Sequence, residues 1–167
     1  MPHFHIPLQS GSNKILGLMK RRYKKELYSE RVGLIKTLMP HCAIGVDVIV
    51  GFPGEGSSEF DETCFFLNEL DIAYLHVFTY SERANTDALN LKEIVPVNIR
   101  NERNKVLRNL SYKKMQNFTN KHIGETRKVL FENPDKSGMI EGYTDNYIKI
   151  TAPHKKEWVN TIVPWKI

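Results

Sequence analysis

The stretch Asp47-Val48-Ile49-Val50-Gly51-Phe52-Pro53-Gly54-Glu55 constrains the fold of this chain more than any other. It opens as an apolar, β-branched run and breaks into a loop with two glycines and a proline. A helix is predicted to start at Ser57 or Ser58. A short continuous apolar run suits a strand covered on both faces, as in parallel α/β sheets. In such folds ligands sit where strands end and the loops to helices begin, so Gly51 to Glu55 is the first candidate site. A tight strand-to-helix connection without chemistry would use the same residues.

Residues 4–9 read as a strand with alternating faces. His3, His5, Pro7 and Gln9 share one; Phe4, Ile6 and Leu8 share the other. A polar face on a strand of an α/β fold suggests a barrel interior that meets a ligand. Ser12 is a predicted N-cap for a short helix through Met19. The basic run Arg21-Arg22-Tyr23-Lys24-Lys25 is either a solvated helix end and linker or a phosphate contact. Tyr28, Val32, Ile35 and Met39 lie at helical spacing and predict an amphipathic helix over 26–38, stopped by Pro40. A second strand covers Ile44 to Val50. Ser58 with Asp61 resembles a capping box, and Phe60, Cys64 and Leu67 make a core-facing stripe. Residues 74–80 are a third strand that leads into the polar segment Ser81 to Thr86. Strand, loop and helix in repetition predict parallel βα units with right-handed crossovers. Three such units look like part of a larger barrel or sheet.

Residues 97–121 predict a long helix. Leu107, Leu110, Met115 and Phe118 supply its apolar face, and Arg100, Arg103, Lys105, Arg108, Lys113 and Lys114 a solvated or functional one. After Gly124 the pattern changes to short strand candidates at 126–132, 138–143, 146–151 and 158–163. Asn133-Pro134-Asp135, Thr144-Asp145-Asn146 and Ala152-Pro153-His154 separate them as turns. That spacing suggests a small antiparallel barrel of oligonucleotide-binding type. Tyr143, Tyr147, Trp158 and Trp165 stand among Lys128, Lys149, Lys155, Lys156 and Lys166. Such aromatics either stack bases or fill a small core.

An apolar fraction of 41% over 167 residues is enough for a core. The net charge of +5 and the pI of about 9.1 push mildly toward a polyanionic partner. No run is long enough to span a bilayer and no signal peptide is visible, so no membrane partner is expected. Cys42 and Cys64 form no CxxC pair and no zinc pattern, and read as small core hydrophobes. Sparse cysteines favour a reducing cytoplasm, and no metal site is expected.

Four motifs stand in a fixed order: His5-Ile6-Pro7-Leu8-Gln9-Ser10-Gly11-Ser12, Met19-Lys20-Arg21-Arg22-Tyr23, Asp47 to Glu55, and His76-Val77-Phe78-Thr79-Tyr80-Ser81-Glu82-Arg83. Together they resemble the radical S-adenosylmethionine methylthiotransferases. Leu75-His76-Val77-Phe78 is most similar to the branch that acts on threonylcarbamoyladenosine in tRNA, and the C-terminal strands resemble the RNA-binding TRAM domain of these enzymes. The resemblance implies an α/β chain in two parts. Residues 1–121 would be the C-terminal part of a radical-SAM partial (βα) barrel with a long basic helix. Residues 122–167 would be a small all-β, OB-like TRAM domain.

It also implies S-adenosylmethionine as cofactor, tRNA as partner, and two 4Fe-4S clusters in the full-length protein. The family's CxxxCxxC motif has no match here, so the cluster ligands are expected outside this chain, in a missing N-terminal part. The chain alone is then expected to be inactive. By motif position, Gln9, Ser10 and Gly11 meet the ribose or methionine part of S-adenosylmethionine. Gly51, Gly54 and Glu55 belong to the loop that passes the adenine, where glycine permits close backbone approach. Asp47 is either a ligand contact or a satisfied carboxylate. Tyr80, Ser81 and Arg83 touch cofactor or substrate base at the same rim. Arg21, Arg22 and Arg83 are RNA-contact candidates, with Lys128, Lys149, Lys155 and Lys156; no catalytic residue is assigned. Arg83-Ala84-Asn85-Thr86 stands where the family usually has Arg-Pro-Gly-Thr, and Lys24 where it has a capping Thr. The alternatives are a stand-alone RNA-binding module without catalysis, or methylthiolation of isopentenyladenosine in tRNA or of a ribosomal protein.

Overall fold

The computed structural model describes residues 1–134 and 138–167. Strands β1 (His3–Gln9), β2 (Ala43–Val50) and β3 (Tyr74–Thr79) form a parallel sheet in the order β1-β2-β3. Helices α1 (Asn13–Leu18) and α2 (Lys25–Leu38) connect the first two strands, and α3 (Ser57–Glu69) connects the next two. A 3-10 turn at Asp87–Asn90 then leads to the long α4 (Val97–Lys121). The strand–loop–helix repetition of the sequence is thus the order of the fold.

Alternate residues of the central strand, Ile44, Val46, Val48 and Val50, are fully buried. They form one core with Leu8, Leu75, Tyr28 and Val32 of α2, Leu67 of α3 and Leu107 of α4. Each such side chain contributes about 1.5–3 kcal/mol through burial. The opposite face carries His3, His5, Asp47, Tyr74 and His76, which contact one another. The apolar run in β2 is therefore covered by helices on one face only. Gly45 and Ile49 hide its alternation, and Asp47 alone marks the polar face in the sequence.

Local signals hold with two shifts. Ser12 occupies the N-cap of α1 but makes no side-chain capping bond. In α3 the cap is Gly56, whose N–H donates to the Glu59 carboxylate at 2.8 Å, so Glu59 and not Asp61 closes the first turn. The span of α4 matches the predicted helix, with Leu107 and Phe118 buried, Leu110 partly buried and Met115 47% exposed. Arg100 and Arg103, expected on its exposed face, are 4% and 9% exposed.

The C-terminal strands β4 (Thr126–Pro134), β5 (Met139–Thr144), β6 (Lys149–Pro153) and β7 (Ile162–Lys166) form an antiparallel sheet in the order β6-β5-β4-β7. Among the described residues β6 and β7 do not pair. A 3-10 turn at Lys156–Trp158 takes the start of the expected last strand, which moves to 162–166. Asn133 and Pro134 end β4; Asp135, the third residue of that predicted turn, lies outside the described residues. Trp158 and Trp165 each pack 5.5 Å from Phe131, so both rings serve the core. That core also takes in Phe118 of α4 and Ala43 and Ala73 beside the parallel sheet. Asn146, fully buried, donates from Nδ2 to the His41 carbonyl at 3.2 Å and joins the two sheets.

Gly142 of β5 lies so close to β4 that a Cβ there would stand 2.6 Å from the Leu130 carbonyl oxygen. Gly142→Ala is expected to lower stability by about 1–3 kcal/mol in urea unfolding. Gly17 in α1 has open space around it, and Gly17→Ala is expected to be neutral or to stabilise by up to about 1 kcal/mol.

Candidate functional site

Parallel pairing brings the C-terminal ends of β1, β2 and β3 to one rim. The backbone turns sharply there: Gln9, Gly51 and Gly54 have φ of 77°, 74° and 90°. A cavity of about 570 Å³ opens at this rim. Its lining includes Gln9, Asp47, Tyr80 and Ser81 from the predicted cofactor set, and Arg21 and Arg83 from the predicted RNA set. Phe52 joins them, its ring edge-on to Tyr80 at 5.2 Å. Lys20 and Asp87, both on the lining, form an ion pair. The Tyr80 hydroxyl is buried and has no hydrogen-bond partner among the described residues. Arg22 is exposed and outside the lining.

The other predicted cofactor residues build the walls. The Ser10 hydroxyl lies 3.3 Å from Thr63 Oγ1 and accepts the Ser12 N–H. Gly11 donates its N–H to Thr63 Oγ1 at 3.1 Å, and a Cβ on Gly11 would stand 2.8 Å from Thr63 Cα. Glu55 is buried; its carboxylate accepts the Gly51 N–H and lies 3.5 Å from Arg103 Nη1. Burial pushes the Glu55 carboxyl above its ordinary value, and the Gly51 N–H and Arg103 pull the other way. Arg103 also donates to the Glu55 carbonyl at 2.7 Å. Arg100 donates to the carbonyls of Val95 at 2.8 Å and Tyr80 at 2.9 Å, and to the Glu82 carboxylate at 2.6 Å. Its guanidinium also lies 5.2 Å from the centre of the Tyr80 ring. A Cβ at Gly51 would meet the Arg100 side chain at 2.3 Å, so only glycine leaves room. Two arginines of α4 thus lash the loops after β2 and β3 together. Sequence reasoning missed this. Their i, i+3 spacing puts them on one face, which was the available signal.

Below the rim, the open face of the sheet gathers polar rings. His5 Nε2 lies 2.6 Å from Asp47 Oδ1, and His76 Nδ1 lies 3.6 Å from the same oxygen. The Tyr74 hydroxyl is 2.8 Å from His3 Nε2, and burial pushes that hydroxyl up to about 12. Tyr147 stacks on His3 at 4.1 Å, and Tyr143 on Tyr147 at 4.8 Å. The cysteines do not join this group. Cys42 is buried, and burial pushes its thiol up; Cys64, partly buried, is pushed up to about 11.

Lys128 of β4 and Lys156 of the 3-10 turn before β7 are exposed. Lys155 sits over the Trp158 ring at 4.3 Å, and Lys149 pairs with Glu141 at 2.7 Å. Arg103→Met would leave the buried Glu55 carboxylate without its cation. It is expected to destabilise by about 3–5 kcal/mol in urea unfolding, and adding Glu55→Gln is expected to recover a large part of that loss.

No family model matches the chain. It is 44% identical over 156 residues to the threonylcarbamoyladenosine tRNA methylthiotransferase of Aquifex aeolicus, covering 93% of this chain and 37% of that one. To the Bacillus subtilis protein of the same name it is 38% identical over 169 residues, 99% of this chain and 38% of the other. The tRNA-2-methylthio-N(6)-dimethylallyladenosine synthase of Bacillus subtilis is 35% identical over 173 residues, 100% of this chain and 33% of the other. The chain spans between a third and two fifths of the length of these curated relatives. Over nearly all of its residues the chain is thus similar to one part of the tRNA methylthiotransferases.

Proposed function

We propose that this chain is the part of a tRNA methylthiotransferase that walls the S-adenosylmethionine cleft and holds the tRNA. The whole enzyme then adds a methylthio group to threonylcarbamoyladenosine. The observation that carries this reading is the rim cavity at the ends of three parallel strands, in a chain whose relatives of that name reach 44% identity against 35% for the dimethylallyladenosine enzymes. Residues 1–121 are read as late units of a partial (βα) barrel, and 122–167 as a TRAM-like RNA-binding domain. Among the described residues no strand pairs with the outer edges of β1 and β3, which supports the first assignment because further strands can pair there.

The cavity fits S-adenosylmethionine in size and chemistry. Its volume lies in the ordinary range for small-molecule sites, and the unpartnered Tyr80 hydroxyl offers a hydrogen bond inside it. When bound, S-adenosylmethionine would supply the methyl group and the radical that abstracts hydrogen from the base. Gln9, Tyr80 and Ser81 are the side chains that would bind and orient it. Phe52, packed against Tyr80, keeps that ring in place. Ser10, Gly11, Gly51, Gly54 and Glu55 shape the loops through close backbone approach. Iron–sulfur clusters do not fit the residues present. A four-iron cluster takes about three or four thiolates, and Cys42 and Cys64 are two thiols with raised pKa values. No step here runs through such a cluster.

Arg21 and Arg83 on the cavity lining, with exposed Arg22, Lys128 and Lys156, are the cations available to tRNA phosphates. Lys149 and Lys155 are already engaged by Glu141 and the Trp158 ring, which compete with phosphate for them. Nucleoside mass spectrometry of tRNA from cells lacking the full-length gene is expected to show loss of the methylthio group from threonylcarbamoyladenosine. Loss from the dimethylallyl nucleoside would move the substrate, and no change in either would overturn the enzyme reading. In tRNA binding at varied salt, Arg21→Ala and Lys156→Ala are each expected to reduce the log–log salt slope by about one. Unchanged slopes would remove these residues from the RNA surface.

A further inference from the structure

We propose that His5, Asp47 and His76 form a binding site for a divalent transition metal of the zinc class, with three protein ligands and open positions for water or another ligand. The three residues come from three adjacent strands. Asp47 and His76 are register partners across β2 and β3. His5 pairs with Gly45, two residues before Asp47 on β2, so its ring reaches the same face. One ligand atom from each residue lies within 4.8 Å of the other two. Among the described residues no other group of three His, Cys, Asp or Glu side chains is so arranged.

The spacing suits a metal. Ligand atoms about 2.0–2.2 Å from a tetrahedral zinc ion lie about 3.3 Å apart. Here Asp47 Oδ1 lies 2.6 Å from His5 Nε2 and 3.6 Å from His76 Nδ1. Small side-chain rotations close the gap, and exposures of 33%, 22% and 54% for His5, Asp47 and His76 leave the side chains free to make them. Two imidazoles and one carboxylate without thiolate select borderline divalent ions over soft ones.

The surroundings point the same way. Asp47 pairs with no Lys or Arg among the described residues, only with the two imidazoles. Tyr74 leans across Gly45, where a Cβ would stand 2.3 Å from its ring, and lies 5.2 Å from the His76 ring and 6.3 Å from the His5 ring. That ring walls one side of the group and is held by His3. On the other side Asp47 reaches the rim cavity, so a ligand there has access to the ion. The site needs neither tRNA nor S-adenosylmethionine, and it stands or falls apart from the methylthiotransferase reading.

The test uses the metal-free 167-residue chain. Titration with Co²⁺ is expected to give one equivalent of binding, with ligand-field bands of a nitrogen–oxygen site and no thiolate-to-cobalt charge-transfer band. Calorimetry with Zn²⁺ is expected to show affinity at least about tenfold weaker in Asp47→Asn and in His76→Gln. His154→Gln, at an exposed histidine in the loop after β6, is expected to leave it unchanged. His76 is half exposed, so its replacement does not threaten the fold, and circular dichroism checks this. Three results would overturn the site: no saturable binding, a thiolate band that puts the ion on Cys42 or Cys64, or His76→Gln binding as tightly as the parent chain.

Discussion

Two guanidinium groups buried beneath the rim hold this structure in shape. A guanidinium stays charged in a protein, so burying it requires that its N–H groups find acceptors. Arg100 finds two carbonyls and the Glu82 carboxylate, and Arg103 finds the Glu55 carbonyl with its carboxylate nearby. Those acceptors sit on the loops after β2 and β3, so α4 is locked to the ends of the strands. Gly51 is the complement: its missing side chain is the space that Arg100 occupies. Remove either charge and the loop that shapes the cavity loses its anchor.

The parallel sheet divides the molecule by polarity. One face meets α2, α3 and α4 through a continuous aliphatic core. The other keeps histidines, tyrosines and a carboxylate. At one end of that face the strands open into the rim cavity. At the other, the stack of His3, Tyr147 and Tyr143 reaches the antiparallel sheet.

Much of this was legible in the chain. The hydrophobic period placed the three parallel strands and located α4 to the residue, because burial of an aliphatic stripe is a local pattern. The glycine loop at the end of β2 marked the rim. Gln9, Tyr80 and Ser81 were legible as residues near strand ends because strand ends follow from strand positions, whereas Asp47, inside β2, was read as either a ligand contact or a satisfied carboxylate. Where two local signals competed, the reading slipped. Glu59, through Gly56, took the capping role read for Asp61, and a 3-10 turn displaced the last strand.

The amino-acid sequence by itself determined the order of the elements, the turn at Gly51 and Gly54, and kinship with the methylthiotransferases. Each of these depends on neighbours along the chain or on motif order. Only the tertiary structure decided that Arg100 and Arg103 are buried, since a basic helix reads as solvated until the acceptors it meets are known. It also decided that His5, Asp47 and His76 come together. His5 precedes Asp47 by 42 residues in sequence, and His76 lies on the next strand; strand register alone sets which side chains face one another.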